Sequence, residues 1–199
     1  MSSHHFVREG QEPALFILDP LPFPLAGPLL EWAPLVLAAG NILEDVLSWG
    51  IKLDVVLAHA EQTERASFML SSQAPVEVVT LAAGESFLQC GLQFLNSDAQ
   101  TDVNLLAVAT EDTFDGVEKF RGALRVSIIE ENLKWSIISS GYFEKWITAG
   151  TLLKVRKSTS SQVLHLQGLQ ATAHEAFECA RTGMVTIRAQ GSFWVAEPL

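Results

Sequence analysis

Five short, largely apolar runs restrict the fold of this chain more than any other feature of its first half. They are Ala14–Leu18, Leu35–Ala39, Leu53–Ala58, Val76–Leu81 and Val103–Val108. A run this short, closed by breakers such as Asp19-Pro20 or Gly40-Asn41, reads as a strand buried on both faces. The stretches between them have a different period. Ile42–Trp49 is apolar at 42, 43, 46, 47 and 49, with Gly50 placed as a C-cap, and Phe87–Leu95 is apolar at 87, 88, 92, 94 and 95. Both spacings are helical. Further helices are expected over Leu29–Ala33 and from about Val117 to Arg121. The proline-rich LPFPLAGP segment is expected to stay irregular until Leu29. Strands that alternate with helices and are apolar throughout predict a parallel sheet covered on both faces.

The pattern changes near Gly122. Arg125–Glu130, Lys134–Ser139, Leu152–Arg156, Val163–Gln167 and Val185–Ala189 are short, often alternating segments separated by Gly, Ser, Asn and Thr. They predict antiparallel structure and a small β-sandwich, with Lys157–Ser161 as a hairpin loop. The expected organisation is an α/β domain over 1–122 followed by an antiparallel β-sandwich domain over 123–199. The charge balance breaks at the same place. Residues 1–121 carry 17 acidic and 5 basic groups, a net of −12, whereas 122–199 carry 6 and 8, a net of +2. An acidic front and a near-neutral back exclude nucleic acid as the expected partner.

No apolar stretch approaches the roughly 20 residues of a membrane span, and the first residues lack the pattern of a secretion signal. The expected location is therefore the cytoplasm, without membrane attachment. Cys90 and Cys179 read as reduced, partly buried thiols, and His4 and His5 as terminal residues rather than a metal site. Phosphate-loop, dinucleotide-loop and nucleophile-elbow motifs are absent. His59-x-Glu61 matches half of a zinc deaminase signature, but the cysteine pair does not follow. His165, between Leu164 and Leu166, is expected to face outward on a strand. His174 lies in a polar stretch.

One cluster could carry chemistry. Thr110-Glu111-Asp112-Thr113-Phe114-Asp115-Gly116 follows the fifth strand, at the end of a parallel sheet where ligands collect. Glu111, Asp112 and Asp115 could hold a hard cation such as Mg²⁺. The competing and favoured reading has Asp112 or Thr113 capping a helix, with acids that suit its dipole.

The order of elements resembles that of the thiamine pyrophosphokinase family over nearly the whole chain. Gly50–Thr63 (GIKLDVVLAHAEQT) resembles the family's "GIKPDLIIGDFDSI", and Leu35–Asn41 sits where the family has "VIAADGGAN". Pro75–Leu81 and Gly91–Leu95 resemble its "VEVIPL" strand and the following helix. Leu106–Gly116 resembles "LGATGGRLDH", and Val163–Gln170 resembles "VTLKGLKY". The resemblance implies an α/β domain followed by a β-sandwich. It also implies a homodimer with thiamine bound between domains of two subunits, and transfer of pyrophosphate from ATP to thiamine with Mg²⁺ as the clamp.

No single motif is intact. Gly40 stands in the place of the first aspartate, His59 and Glu61 in the places of the "GDFDS" pair, and Gly84 and Phe87 in those of the "KDxTD" pair. Asp115 alone matches, in the "RLDH" motif, and the histidine after it is Gly116. Glu111-Asp112 replaces a glycine pair, and Leu18-Asp19-Pro20 replaces a glycine-rich turn. The late serine–asparagine motif is not recognisable between Ala180 and Thr186. Acids where triphosphate should sit cost on the order of 1–4 kcal/mol per close like-charge contact. A shift of one or two residues in the alignment would bring Glu85 to a ligand position.

The expected function is therefore a thiamine pyrophosphokinase-like protein, impaired or inactive, that binds a small molecule: thiamine or a replacement. Two alternatives stand beside it. One is an active enzyme using ATP and Mg²⁺ with a rebuilt metal site of Glu61, Asp112 and Asp115. The other is an unrelated α/β assembly subunit. The residual site is expected among Asn41, His59, Glu61, Thr110, Glu111, Asp112 and Asp115. Trp135, Trp146 and Trp194 are expected to fill the sandwich core.

Overall fold

The structure, a computed structural model, describes residues 12–172 and 176–199. His4, His5 and His174 lie outside the described residues. The chain divides into two compact units, the first ending at Glu131 and the second running Asn132–Leu199.

Among the described residues, six strands build the first unit: β1 (Ala14–Ile17), β2 (Val36–Ala39), β3 (Val55–Ala58), β4 (Glu77–Thr80), β5 (Asp102–Leu106) and β6 (Arg125–Glu130). They lie in the order β6-β5-β1-β2-β3-β4, and every adjacent pair is parallel. The helices are α1 (Phe23–Ala26), α2 (Leu43–Ser48), α3 (Thr63–Met69), α4 (Phe87–Ser97) and α5 (Glu111–Glu118). Leu15, Ile17, Ala38 and Val56 share one core cluster with Ala26, Val46 and Ala66 of α1, α2 and α3. Side chains alternate along a strand, so Phe16 and Leu37 point to the opposite face, where Gly91 of α4 lies against them. The predicted sheet, buried on both faces, is what forms.

Four local expectations change. Arg125–Glu130 is not antiparallel but pairs with β5 in parallel, because α5 between them supplies the crossover that parallel neighbours need. The proline-rich segment does hold helix over Phe23–Ala26 and a 3-10 turn over Gly27–Leu30, since its prolines occupy first-turn positions where no N–H is required. α5 begins at Glu111, before the expected start. α3, which was not expected, has only a one-turn apolar set, Ala66, Met69 and Leu70, while its largest apolar residue, Phe68, is 80% exposed.

The second unit is antiparallel throughout. Its strands are β7 (Leu133–Ile138), β8 (Tyr142–Ile147), β9 (Leu152–Lys157), β10 (Leu164–Gln167), β11 (Leu169–Ala171), β12 (Ala176–Cys179), β13 (Gly183–Ala189) and β14 (Phe193–Pro198). One sheet runs β11-β12-β9-β14-β7, the other β10-β13-β8. Val155, Phe193 and Val195 of the first meet Ile187, Phe143, Leu164 and Leu166 of the second in one core, which makes the unit a sandwich. The 158–163 segment is not a hairpin loop, because β9 pairs with β12 and β14 while β10 pairs with β13. His165 faces out as expected, between inward Leu164 and Leu166. None of the three tryptophans fills the sandwich core: Trp194 is buried but alternates with the inward Phe193 and Val195, Trp135 stands opposite Ala196 on that same other face, and Trp146 is 66% exposed. Phe143 and Ile147 take the inward positions of β8, so strand alternation turns Trp146 outward.

No helix among the described residues is long and apolar enough to cross a membrane.

Candidate functional site

In a parallel sheet every strand delivers its carboxyl end to the same edge, so the loops there form one continuous rim. Here that rim holds Leu18-Asp19 after β1, Gly40-Asn41 after β2, His59 after β3, and Ala107–Thr110 after β5. All seven expected site residues lie on this rim or in the first two turns of the elements that leave it. Asn41 is in a 3-10 turn (Gly40–Ile42), and Glu61 is in another (Ala60–Gln62). Thr110 is the N-cap of α5, and Glu111, Asp112 and Asp115 lie within that helix.

The cap differs from the expected one. Thr110 Oγ1 accepts the Thr113 N–H at 3.2 Å, and Thr113 Oγ1 donates to the Val108 carbonyl at 2.8 Å. Neither Asp112 nor Thr113 is therefore the cap; Glu111 and Asp112 sit in the first turn, where negative charge suits the helix dipole.

The strand order separates the expected metal ligands. β1 and β2 lie between β3 and β5, so the ends carrying Glu61 and the α5 acids are three strand spacings apart, roughly 14 Å. Among the described residues there is no group of three or more His, Cys, Asp or Glu set to hold a metal ion.

His59 and Phe87 do come together. Their ring centroids are 4.8 Å apart at a tilt of 58°. These are two positions at which the family resemblance expects carboxylates, one after β3 and one opening α4. The fold brings them into contact, and the contact is between two aromatic rings.

The other departures have local causes. A Cβ at Gly40 would fall 2.5 Å from the Leu57 carbonyl oxygen, so no side chain fits while β2 and β3 keep their spacing. A Cβ at Gly116 would fall 2.5 Å from Leu88 Cδ2, so a side chain there requires the end of Leu88 to turn aside. Glu85 does not stand free as a ligand: it accepts the Ala82 N–H at 3.1 Å. Together with burial, Glu85 also pushes the Cys90 thiol up to about 11, burial being the larger cause. Cys90 is thereby held as an inert thiol. Cys179 is buried as well, and neither cysteine forms a disulfide.

Sequence reasoning missed Asp19. The strand order reverses between β1 and β5, and the crevice outside those two ends is where such sheets bind ligands. The Asp19 carboxylate spans it and accepts the Val108 N–H at 2.7 Å. The Leu18 and Asp19 N–H groups both donate to the Leu106 carbonyl, at 2.9 and 3.3 Å. The signal was present in the replacement of a glycine-rich turn by Leu18-Asp19-Pro20, but its partner is 89 residues away.

A cavity of about 310 Å³ opens between α2 and α3, lined by Asn41, Glu44, Gln62, Arg65 and Met69 among others. Arg65 and Glu44 form an ion pair there. Gln62 Oε1 is buried without a hydrogen-bond partner.

The chain is thus an α/β unit with a parallel sheet followed by an antiparallel β-sandwich. No protein-family model and no curated protein sequence matches the chain. Solved structures do. A thiamine pyrophosphokinase from Bacillus subtilis is similar at 12% identity, over 93% of this chain and 98% of that one, with a TM-score of 0.66. The yeast thiamin pyrophosphokinase is similar at 9% identity, over 97% and 88%, with a TM-score of 0.68. That from Candida albicans is similar at 9% identity, over 94% and 90%, with a TM-score of 0.65. This chain has the thiamine pyrophosphokinase fold, in a divergent form.

Proposed function

We propose that this chain is a thiamine pyrophosphokinase-like protein in which pyrophosphoryl transfer is impaired or lost, and that it retains binding of a small molecule. The observation that carries this reading is the His59–Phe87 ring contact. Phosphoryl transfer depends on positioning and on neutralising the charge of the triphosphate, chiefly through carboxylate-held Mg²⁺. An aromatic pair at two of the expected carboxylate positions cannot hold that ion. The residues present do not fit Mg²⁺ and ATP at the β1–β5 crevice either. The Asp19 carboxylate already accepts the backbone N–H that an incoming phosphate oxygen would need, and it would repel that oxygen.

Small-molecule binding is supported by the cavity between α2 and α3. A ligand bearing an N–H or O–H donor would satisfy the buried Gln62 oxygen, which otherwise carries an uncompensated desolvation cost. Thiamine is the first compound to try, and a homodimer, expected from the resemblance, belongs to the same proposal.

The test is an assay of AMP release with the intact protein, thiamine, ATP and Mg²⁺, beside calorimetric titration with thiamine alone. The expected outcome is no turnover above the protein-free background. Turnover that disappears in the Asp112→Ala variant would overturn the reading in favour of an active enzyme with a rebuilt metal site.

A further inference from the structure

We propose that the sandwich unit carries its own binding site for a small oxyanion, a carboxylate or phosphate group, centred on Arg188. The site is a cavity of about 490 Å³ lined by Ser161, Val163, His165, Arg188, Ala189 and Gln190. It lies wholly within the second unit.

The cation is held in place. The Arg188 guanidinium carbon lies 5.0 Å from the centroid of the Tyr142 ring, directly across the β8–β13 pair. The guanidinium also hydrogen-bonds the Tyr142 hydroxyl, and with five N–H donors it has others to offer a ligand. Glu144, the nearest acid on β8, has its carboxylate bonded by the Tyr142 hydroxyl. On the other side, His165 stands opposite Arg188 in the β10–β13 register. Directly opposed side chains have Cβ atoms about 4.5–5.5 Å apart, and His165 lines the same cavity, so its imidazole adds a second nitrogen-bearing group to the site.

The rim is built as well. Gln162, only 8% exposed, donates through Nε2 to the carbonyls of Gln190 at 2.8 Å and Ser192 at 3.0 Å. Its Oε1 accepts the Ser158 N–H at 3.1 Å. One buried amide thus ties the loop that carries Ser161 to the turn that carries Gln190, which fixes both walls. Preorganised donors bind with less ordering cost than mobile ones. The surrounding charge agrees. Residues 132–199 hold seven Lys and Arg against four Asp and Glu, whereas residues 1–131 hold six against 19.

The intact chain, labelled with ¹⁵N, should be titrated with sodium phosphate and separately with sodium acetate, at constant ionic strength set by sodium chloride. Saturable shifts of the Ser161 and Gln190 amides and the Arg188 Nε–H are expected with at least one anion. Phosphate alone identifies a phosphate ester as the ligand class, acetate alone a carboxylate, and both a general oxyanion. Arg188→Gln should weaken binding roughly ten- to hundredfold, the scale of a lost charged hydrogen bond. Arg188 is exposed, so an otherwise unchanged spectrum reports that the variant is folded, and His165→Gln provides a second, independent loss. Shifts that match a chloride titration, or a midpoint that Arg188→Gln leaves alone, would overturn the proposal. Neither result depends on whether the first unit turns over ATP.

Discussion

At the scale of single residues, what resembles the erosion of a catalytic motif has more than one physical origin. Gly40 stands where the resemblance expects an aspartate, yet the Leu57 carbonyl 2.5 Å from its would-be Cβ demands glycine. Backbone in the core of a sheet cannot yield as a flexible side chain can. Gly40→Asp is therefore expected to destabilise the protein by about 1–3 kcal/mol, the usual cost of overpacking, without restoring AMP release. Urea denaturation reads the first part. A variant as stable as the parent would show that β2 and β3 can separate. His59 and Phe87 differ in kind. Their ring contact is a packing interaction between side chains at two positions where the resemblance expects charges.

At the scale of elements, the start of α5 separates two roles that the sequence left merged. Thr110, Asp112 and Thr113 are all residues that cap helices. Backbone geometry at Thr110 is extended and its hydroxyl reaches the Thr113 N–H, so the cap is Thr110. Thr110→Ala should cost about 1 kcal/mol, and Asp112→Ala only the few tenths typical of an exposed charge at a helix end. Thermal unfolding of the two variants checks the ranking, and the reverse order would move the helix start. α3 and β6 show the limit of periodicity. A seven-residue helix that exposes Phe68 and packs only Ala66, Met69 and the C-cap Leu70 inward has a stripe of barely one turn to detect. An alternating strand looks the same whether its neighbour runs parallel or antiparallel, and only the intervening helix decides it.

At the scale of the whole molecule, charge is segregated. The first unit carries a net −13 and the second +3 over residues 1–131 and 132–199. Like charges crowded on one compact unit repel, and salt screens them. Raising sodium chloride from about 10 to about 150 mM, which shortens the Debye length from roughly 30 to 8 Å, should raise the unfolding temperature. A fall would mean that attractive pairs such as Arg125–Asp102 and Lys145–Glu197 outweigh the repulsion. The sequence by itself determined the two-part architecture, because apolar runs and alternation are local consequences of burying a strand on two faces or one. It also placed the candidate residues on one rim, because parallel strands end on one edge. Only the tertiary structure decided which of them meet. Strand order put β1 and β2 between Glu61 and the α5 acids, joined His59 to Phe87, and set Asp19 across the crevice against Val108. Those distances depend on contacts between residues far apart in the chain, and spacing along a sequence does not encode the order in which strands lie side by side.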